Sequence, residues 1–346
     1  MRLKIITAMA GTLLVTPALA QESYPSFSAD FVFEVQSDQT FSSTDPAAEI
    51  NNTFATFEAA LQLSIASGAS INASLVFEPV IDPVDDSFFE DHGLYVEELY
   101  FAYEVEGVTL TLGKFNPAFG EAWDTAPGLY GVDFAEDYEL TERLGAGIAI
   151  PFDAFDGEHE LSLAIFAADT TALSDSVIQN RGLTRSNSGG VSNTQSPESA
   201  ALSIAGGIGD TGYNVGLQYQ SKGDGDTDDQ FGFVVGVNQA IPFSEDSGAE
   251  VLAEIAYFPN SDGGPDSALF GTLGAAVPVG PVTLSGVYSV RDVDNVPTDH
   301  LGTVSAEMEL VDGLTAGLGY RFGREGGETS HTVGALLVYE IGFSTE

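Results

Sequence analysis

Between Phe115 and Glu142 the chain carries seven carboxylates, Glu121, Asp124, Asp133, Glu136, Asp137, Glu139 and Glu142, and not one Lys or Arg. Acids crowded in that way, without cations to neutralise them, make a fixed negative field. Charges closer than a Debye length, about 8–10 Å at physiological salt, share one potential across a narrow aqueous gap. Low-dielectric walls focus that potential. The same stretch holds Phe119, Trp123, Tyr130, Phe134 and Tyr138, with Pro117, Gly120, Pro127, Gly128 and Gly131 to bend it. An exposed loop does not need five large aromatics; a segment folded onto a wall does.

Other candidate chemistry is thin. Asp224, Asp226 and Asp228 in "KGDGDTDDQ" have the alternate spacing of an acidic calcium loop, but the Gly at position six and the Glu at position twelve are missing. They read as a solvated charge run, with loosely held Ca2+ at an outer loop as the weak divalent candidate. No other metal or cofactor is expected. His92, His159, His300 and His331 are scattered without metal-ligand spacing, and "GGIGDTG" lies in an alternating strand and turn rather than a phosphate cradle. No Ser, His and acid set identifies a lipase that works in the membrane, so no enzymatic activity is expected.

"MRLKIITAMAGTLLVTPALA" has a positive start, a short apolar core and a small-residue cleavage site, the pattern of a signal peptide over residues 1–20. The remainder, 21–346, reads as a single exported domain. The formal charge is −42; without Arg2 and Lys4, eight Lys and Arg face 52 Asp and Glu, a balance of −44. Such a balance excludes nucleic acid and favours cationic partners. There is no Cys, and after the leader no apolar run is long enough for a helical span.

The elements that must position the acids are strands. "SFSADFVFEV", "TFATFEAALQLSI", "INASLVFE" and "HTVGALLVYEIGF" alternate apolar with small or polar residues at a period of two, which no helix matches. Sixteen such segments centre near Phe31, Leu61, Leu75, Leu99, Leu110, Ile148, Leu163, Ile204, Leu217, Val235, Ile255, Leu273, Leu284, Ala306, Leu318 and Leu337. Each supplies roughly the 9–11 residues a tilted strand needs to cross a bilayer. Short turns ("SGA", "EG", "GDTG", "PVG", "VDG") alternate with longer connections at 37–49, 81–92, 115–142, 169–198, 222–229, 259–266, 291–298 and 324–328. Sorting loop length by side is the habit of an outer-membrane barrel. The predicted fold is therefore all-β: a transmembrane antiparallel barrel of 16 strands whose third long loop, about 115–142, folds into the lumen. Tyr95, Tyr103, Tyr219, Tyr257, Tyr288, Tyr320, Tyr339 and Phe343 would form its aromatic girdles.

The opposite faces carry Asp30, Glu34, Glu58, Glu78, Glu98, Glu250, Glu254, Glu307, Glu309 and Glu340. A dry core cannot hold ten unpaired carboxylates, so water must fill the bore. Glu58, Glu78, Glu98, Glu254 and Glu307 are the candidate lumen acids. A cation-preferring channel for small hydrophilic solutes follows. A pore specialised for one nutrient, or a barrel adhesin, would share most of these features.

"LTLGKFNPAFG" (110–120) resembles the fifth strand and the glycine–basic step into the constriction loop of the Gram-negative general porins, and "TERLGAGIAI" (141–150) resembles the strand after it. The resemblance implies a homotrimer of passive diffusion channels embedded in outer-membrane lipid. It implies that Lys114 and Arg143 flank the loop on the pore wall. Arg291 and Arg321 fall on lumen parity and would join them in a basic ladder, thinner here than the family pattern.

Overall fold

The computed structural model describes residues 24–244 and 247–345; the expected signal peptide lies outside them. Sixteen strands follow one another: β1 Ser26–Ser43, β2 Asn51–Ala66, β3 Ala69–Pro79, β4 His92–Val105, β5 Val108–Phe115, β6 Arg143–Ala154, β7 Gly157–Ala168 and β8 Ser199–Ile208, then β9 Thr211–Gln220, β10 Gln230–Ser244, β11 Ser247–Phe258, β12 Ala268–Val279, β13 Val282–Val293, β14 Asp299–Val311, β15 Leu314–Glu325 and β16 Glu328–Ser344. Each pairs antiparallel with the next, and β1 pairs with both β2 and β16, so the sheet closes into a ring. Closure leaves no long edge of unpaired backbone groups, the condition for crossing a bilayer with strands. All sixteen expected centres fall inside these strands.

Alternation sorts the side chains. Leu63, Leu112, Ile165, Val235, Ile255, Leu273, Val304 and Leu318 share one exposed face, while Asn214, Gln218, Glu254, Thr272, Ser289, Thr303 and Ser305 are buried on the other. An exposed apolar outside with a polar inside is the inverse of a soluble barrel.

Three details differ from the sequence reading. Strand β1 runs to Ser43 in register with Ser330, so the first connection is 44–50 rather than 37–49. The last connection is the two-residue turn Gly326-Gly327, both at positive φ, and the long–short alternation stops there. Paired positive φ angles match the twist of a two-residue hairpin. Between β6 and β7 the same geometry is adopted by Phe155 and Asp156, without glycine.

A bulge in β4 changes which side chains face inward. Ser74 pairs with Glu98 but Leu75 with Val96, so Glu97 is the extra residue. A bulge shifts parity, and it turns Tyr95 inward, where its hydroxyl donates to Glu78 at 2.6 Å. Tyr95 is therefore no girdle residue.

Leu318 is 66% exposed in the middle of β15. Leu318→Arg should cost about 2–4 kcal/mol if it faces hydrocarbon, read from urea titrations of folding into phospholipid vesicles. An effect near zero would mean that this face does not meet lipid.

Candidate functional site

The connection 116–142 leaves the sheet between β5 and β6 and touches distant strands on the faces opposite the exposed apolar side chains. Its first anchor is Glu254 on β11, 1% exposed. This carboxylate accepts hydrogen bonds from the backbone N–H groups of Glu121 (2.9 Å) and Ala122 (3.1 Å), the Tyr138 hydroxyl (2.7 Å) and the Asn214 amide (2.8 Å). Four donors replace the water a buried charge loses. Around them Phe119, Ala122, Ala126, Ala135, Tyr138 and Leu140 pack with Val234, Leu252, Phe258 and Phe270 of the wall. The inner face of β10–β12 is thus apolar where the segment lies on it, not uniformly polar as alternation suggests.

Further round the ring, the Leu129 N–H donates to Ser305 Oγ (3.1 Å) and the Tyr130 hydroxyl to Asp38 Oδ1 (2.6 Å). Small residues on both the segment and the wall permit this approach. A Cβ on Gly128, at φ +87°, would come within 2.4 Å of Ser285 Oγ, and one on Gly334 within 2.0 Å of the Tyr130 hydroxyl.

The charges divide into two groups. In the first, Asp133 pairs with Arg321 (2.7 Å), which also holds Glu325, and Asp137 pairs with Arg291 (2.5 Å), which also holds Asp299. Both wall arginines are neutralised, and Arg291 lies 4.8 Å over the Phe134 ring. In the second group, Asp124 is within electrostatic reach of Glu58, Glu136 of Glu78, and Glu139 of Glu97 and Glu98. None of these seven acids forms an ion pair among the described residues. Glu98 accepts from the Asn116 N–H (2.9 Å), and Glu97 from Asn116 Nδ2 (3.0 Å) and Ser74 (3.2 Å). Glu97 was missed from sequence because strict alternation has no place for a bulged residue.

Burial and crowding raise the acids of this segment. The Glu139 carboxyl is pushed up to about 8 by burial and then by Glu97, Glu136, Asp124 and Glu98. Glu136 rises to about 7 through burial, Asp133, Glu78 and Asp137. Asp124 rises to about 6 through burial and Glu121. Asp133 also rises to about 6, burial outweighing its Arg321 partner. Glu121 and Asp137 are raised by burial as well.

The remaining predicted residues sit elsewhere. Lys114, expected on the pore wall, is 1% exposed; its ammonium donates to Glu142 (2.8 Å) and to the carbonyls of Val96 and Leu173, with Asp169 at 3.2 Å. Glu142 is also gripped by Arg181, whose guanidinium lies 3.6 Å over the Tyr95 ring. Lys114 and Glu142 therefore seal the place where the segment leaves the wall, with Asp169 and Arg181 as partners the sequence did not reveal. Arg143 is half-buried, with its guanidinium over the Phe166 ring and donating to Ser192 Oγ (3.0 Å). Glu307 lies on the inner face of β14, with its side chain against Gly317. Asp226 accepts from the N–H groups of Gly223 and Gly190, closing an outer loop, and among the described residues Asp224, Asp226 and Asp228 do not converge as metal ligands.

No family model matches the chain, and no curated protein matches it in sequence. Its structural neighbours are outer-membrane porins and channels. The outer membrane channel DcaP of Acinetobacter baumannii superposes with a TM-score of 0.57 at 10% identity, over 92% of this chain and 96% of that one. A mutant of the Rh. blastica porin gives 0.55 at 14% identity, over 91% and 100%. OmpT of Vibrio cholerae, with loop L8 deleted, gives 0.55 at 10% identity, over 90% and 99%. The fold shared at these identities is the closed 16-stranded antiparallel barrel of outer-membrane porins.

Two outcomes are expected. Glu254→Ala strands the Asn214 amide, the Tyr138 hydroxyl and two N–H groups, costing about 1–3 kcal/mol for each one left unpaired. Cleavage within 116–142 by added protease should accelerate at least severalfold; unchanged cleavage would show that the anchor is dispensable. The raised carboxyls hold protons in the folded chain that the unfolded chain has released, so stability falls as pH rises from about 4 to about 8. The urea midpoint should be higher at pH 5 than at pH 8.5.

Proposed function

We propose that the chain forms a water-filled channel in the bacterial outer membrane, through which small hydrophilic solutes and ions diffuse passively with preference for cations. Residues 116–142 narrow the bore in this reading; their contacts from β9 round to β1 support that course. The observation that carries the cation preference is the row in which Asp124, Glu136 and Glu139 lie near Glu58, Glu78, Glu97 and Glu98 without an ion pair; Arg181, held by Glu142, reaches only Glu78 electrostatically. Arg291 and Arg321 do not oppose the row, because each already holds two carboxylates. A potential worth about 1.4 kcal/mol concentrates monovalent cations tenfold, and acids spaced within a Debye length reach that range.

The channel assembles as a homotrimer and carries out no enzymatic chemistry. Fold likeness to channels supports the transport role.

The test is the reversal potential of single channels under a KCl gradient. Cation preference is expected at pH 8.5, and it should fall as pH passes from 8 to 6, where Glu139, Glu136 and then Asp124 take up protons. Glu136→Gln with Glu139→Gln should bring the permeability ratio toward unity at pH 8.5. Anion preference in the unaltered protein at that pH would refute the proposal.

A further inference from the structure

His92, the first residue of β4, is a buried imidazole that the channel reading does not use; it is 7% exposed. Its Nε2 accepts the Ala55 N–H at 3.2 Å. With that nitrogen accepting, the neutral ring carries its proton on Nδ1. Nδ1 has no hydrogen-bond partner among the described residues, and protein does not enclose it. The other buried imidazole, His159, has both nitrogens engaged, by the Ala154 carbonyl and the Tyr213 hydroxyl. Beside His92 lies a cavity of about 310 Å³, walled by Phe77, Phe89, Asp91, His92, Ile178 and Gln179.

Most of this lining is apolar and held in place. Phe77 stacks on the imidazole, with centroids 4.9 Å and planes 21° apart, and the Phe89 ring approaches to 6.4 Å. The Phe89 N–H donates to the Thr53 carbonyl at 2.7 Å, which fixes that ring's root. Ile178 is 79% exposed and sits at φ +75°. A β-branched residue is an outlier in the left-handed region, and strain of that kind gathers at ligand clamps. Pairing of Val177–Ile178 with Gly93–Leu94 holds it there, and a Cβ on Gly93 would come within 2.9 Å of the Gln179 carbonyl oxygen. Against the apolar walls stand a donor, His92 Nδ1–H, and an acceptor, the Asp91 carboxylate, which bonds no group among the described residues.

Position narrows the ligand. Phe77 shares parity with Ile71, exposed on the outer face, and Pro79, the register partner of His92, continues that parity. The cavity therefore opens on the outside of the barrel rather than on the bore. From Ala69 to Phe77 is about 26 Å of strand, or about 20 Å of height at a tilt near 40°, close to the upper margin of an apolar band about 25 Å tall. Rings with one wet end collect at that depth. We propose that the cavity binds a small neutral aromatic molecule bearing a hydroxyl group. Its ring packs on Phe77, Phe89 and Ile178; its oxygen accepts from His92 Nδ1–H and its proton is donated to Asp91. The Asp91 charge turns away an anionic aromatic, and the volume, at the small end for ligand sites, admits roughly one or two fused rings. The site goes beyond the channel reading and depends only on the fold.

The probe is 2-naphthol, titrated by its fluorescence into the detergent-solubilised full-length mature protein, with protein-free micelles measured alongside to subtract partitioning. One saturable site per chain is expected. Naphthalene, which lacks the hydroxyl, should bind about tenfold more weakly. Asp91, like Ile178, has a positive φ, so glycine suits both positions and neither substitution threatens the fold. Asp91→Gly should weaken 2-naphthol severalfold and leave naphthalene unchanged, whereas Ile178→Gly should weaken both probes. His92→Phe, first checked for the heat-modified mobility of the folded barrel, keeps a ring and removes the donor, and it should abolish the preference for 2-naphthol. Partitioning without saturation, equal affinity for the two probes, or unaltered binding in both glycine variants would overturn the proposal. No current enters the measurement, so its failure would leave the channel reading standing.

Discussion

A carboxylate buried without a cation is tolerated only where donors replace the water it has lost. Glu254 meets that condition with two backbone N–H groups, a phenol and an amide, three of the four supplied by residues 116–142. The arrangement ties a 27-residue connection to a strand on another part of the ring. Once residues 120–122 and Tyr138 are fixed, Phe119 and Tyr138 pack on Phe258 and Phe270 of the wall. Where the remaining acids of the segment can point is set by that packing.

Those acids are sorted by what stands across from them. Asp133 and Asp137 reach the β13–β15 side, where Arg321 and Arg291 close on them. Asp124, Glu136 and Glu139 are left toward β2–β4, where the wall offers carboxylates of its own. A pore with acids on one side and free arginines on the other carries a field across the bore. In the proposed channel the arginines hold acids already, so the residual charge on both sides would have one sign and the field would run with the bore's axis. Such an arrangement discriminates by the sign of a solute's charge more than by the orientation of its dipole.

Much of this was legible in the sequence, and the reasons are physical. Alternation at a period of two is imposed by the pleat, so the sixteen strand centres and the outward Leu and Val residues could be read directly. The acid count and the absence of cations in 115–142 were also plain. What alternation cannot show is where it fails. The extra residue at Glu97 leaves no mark in "YVEELYFAYE", yet it turns Tyr95 inward and adds an acid to the row. Nor does a strand's own pattern reveal what will lie on it: Phe258 and Phe270 interrupt a polar inner face, and their sense appears only with Phe119 and Tyr138 against them. Lys114 misled for a similar reason. It lies at the end of the strand beside the loop, but part of its surroundings comes from Asp169 and Leu173, more than fifty residues on.

The enclosure of Lys114 results from diverting backbone out of the sheet. β5 spans eight residues against fourteen in β4, so the upper part of β4 loses its neighbour where 116–142 departs. Unpaired strand groups facing lipid are costly, and the chain covers them with Val177–Ile178, which pairs with Gly93–Leu94. Lys114, Glu142, Asp169 and Arg181 join the roots of both connections at this seam. Two cations and two acids meet there, so the formal charges of the seam cancel. In the proposed channel, the same step that lets the segment leave the wall engages two of the chain's few cations at the seam, and the acids of 116–142 that lie toward β2–β4 are left without ion-pair partners.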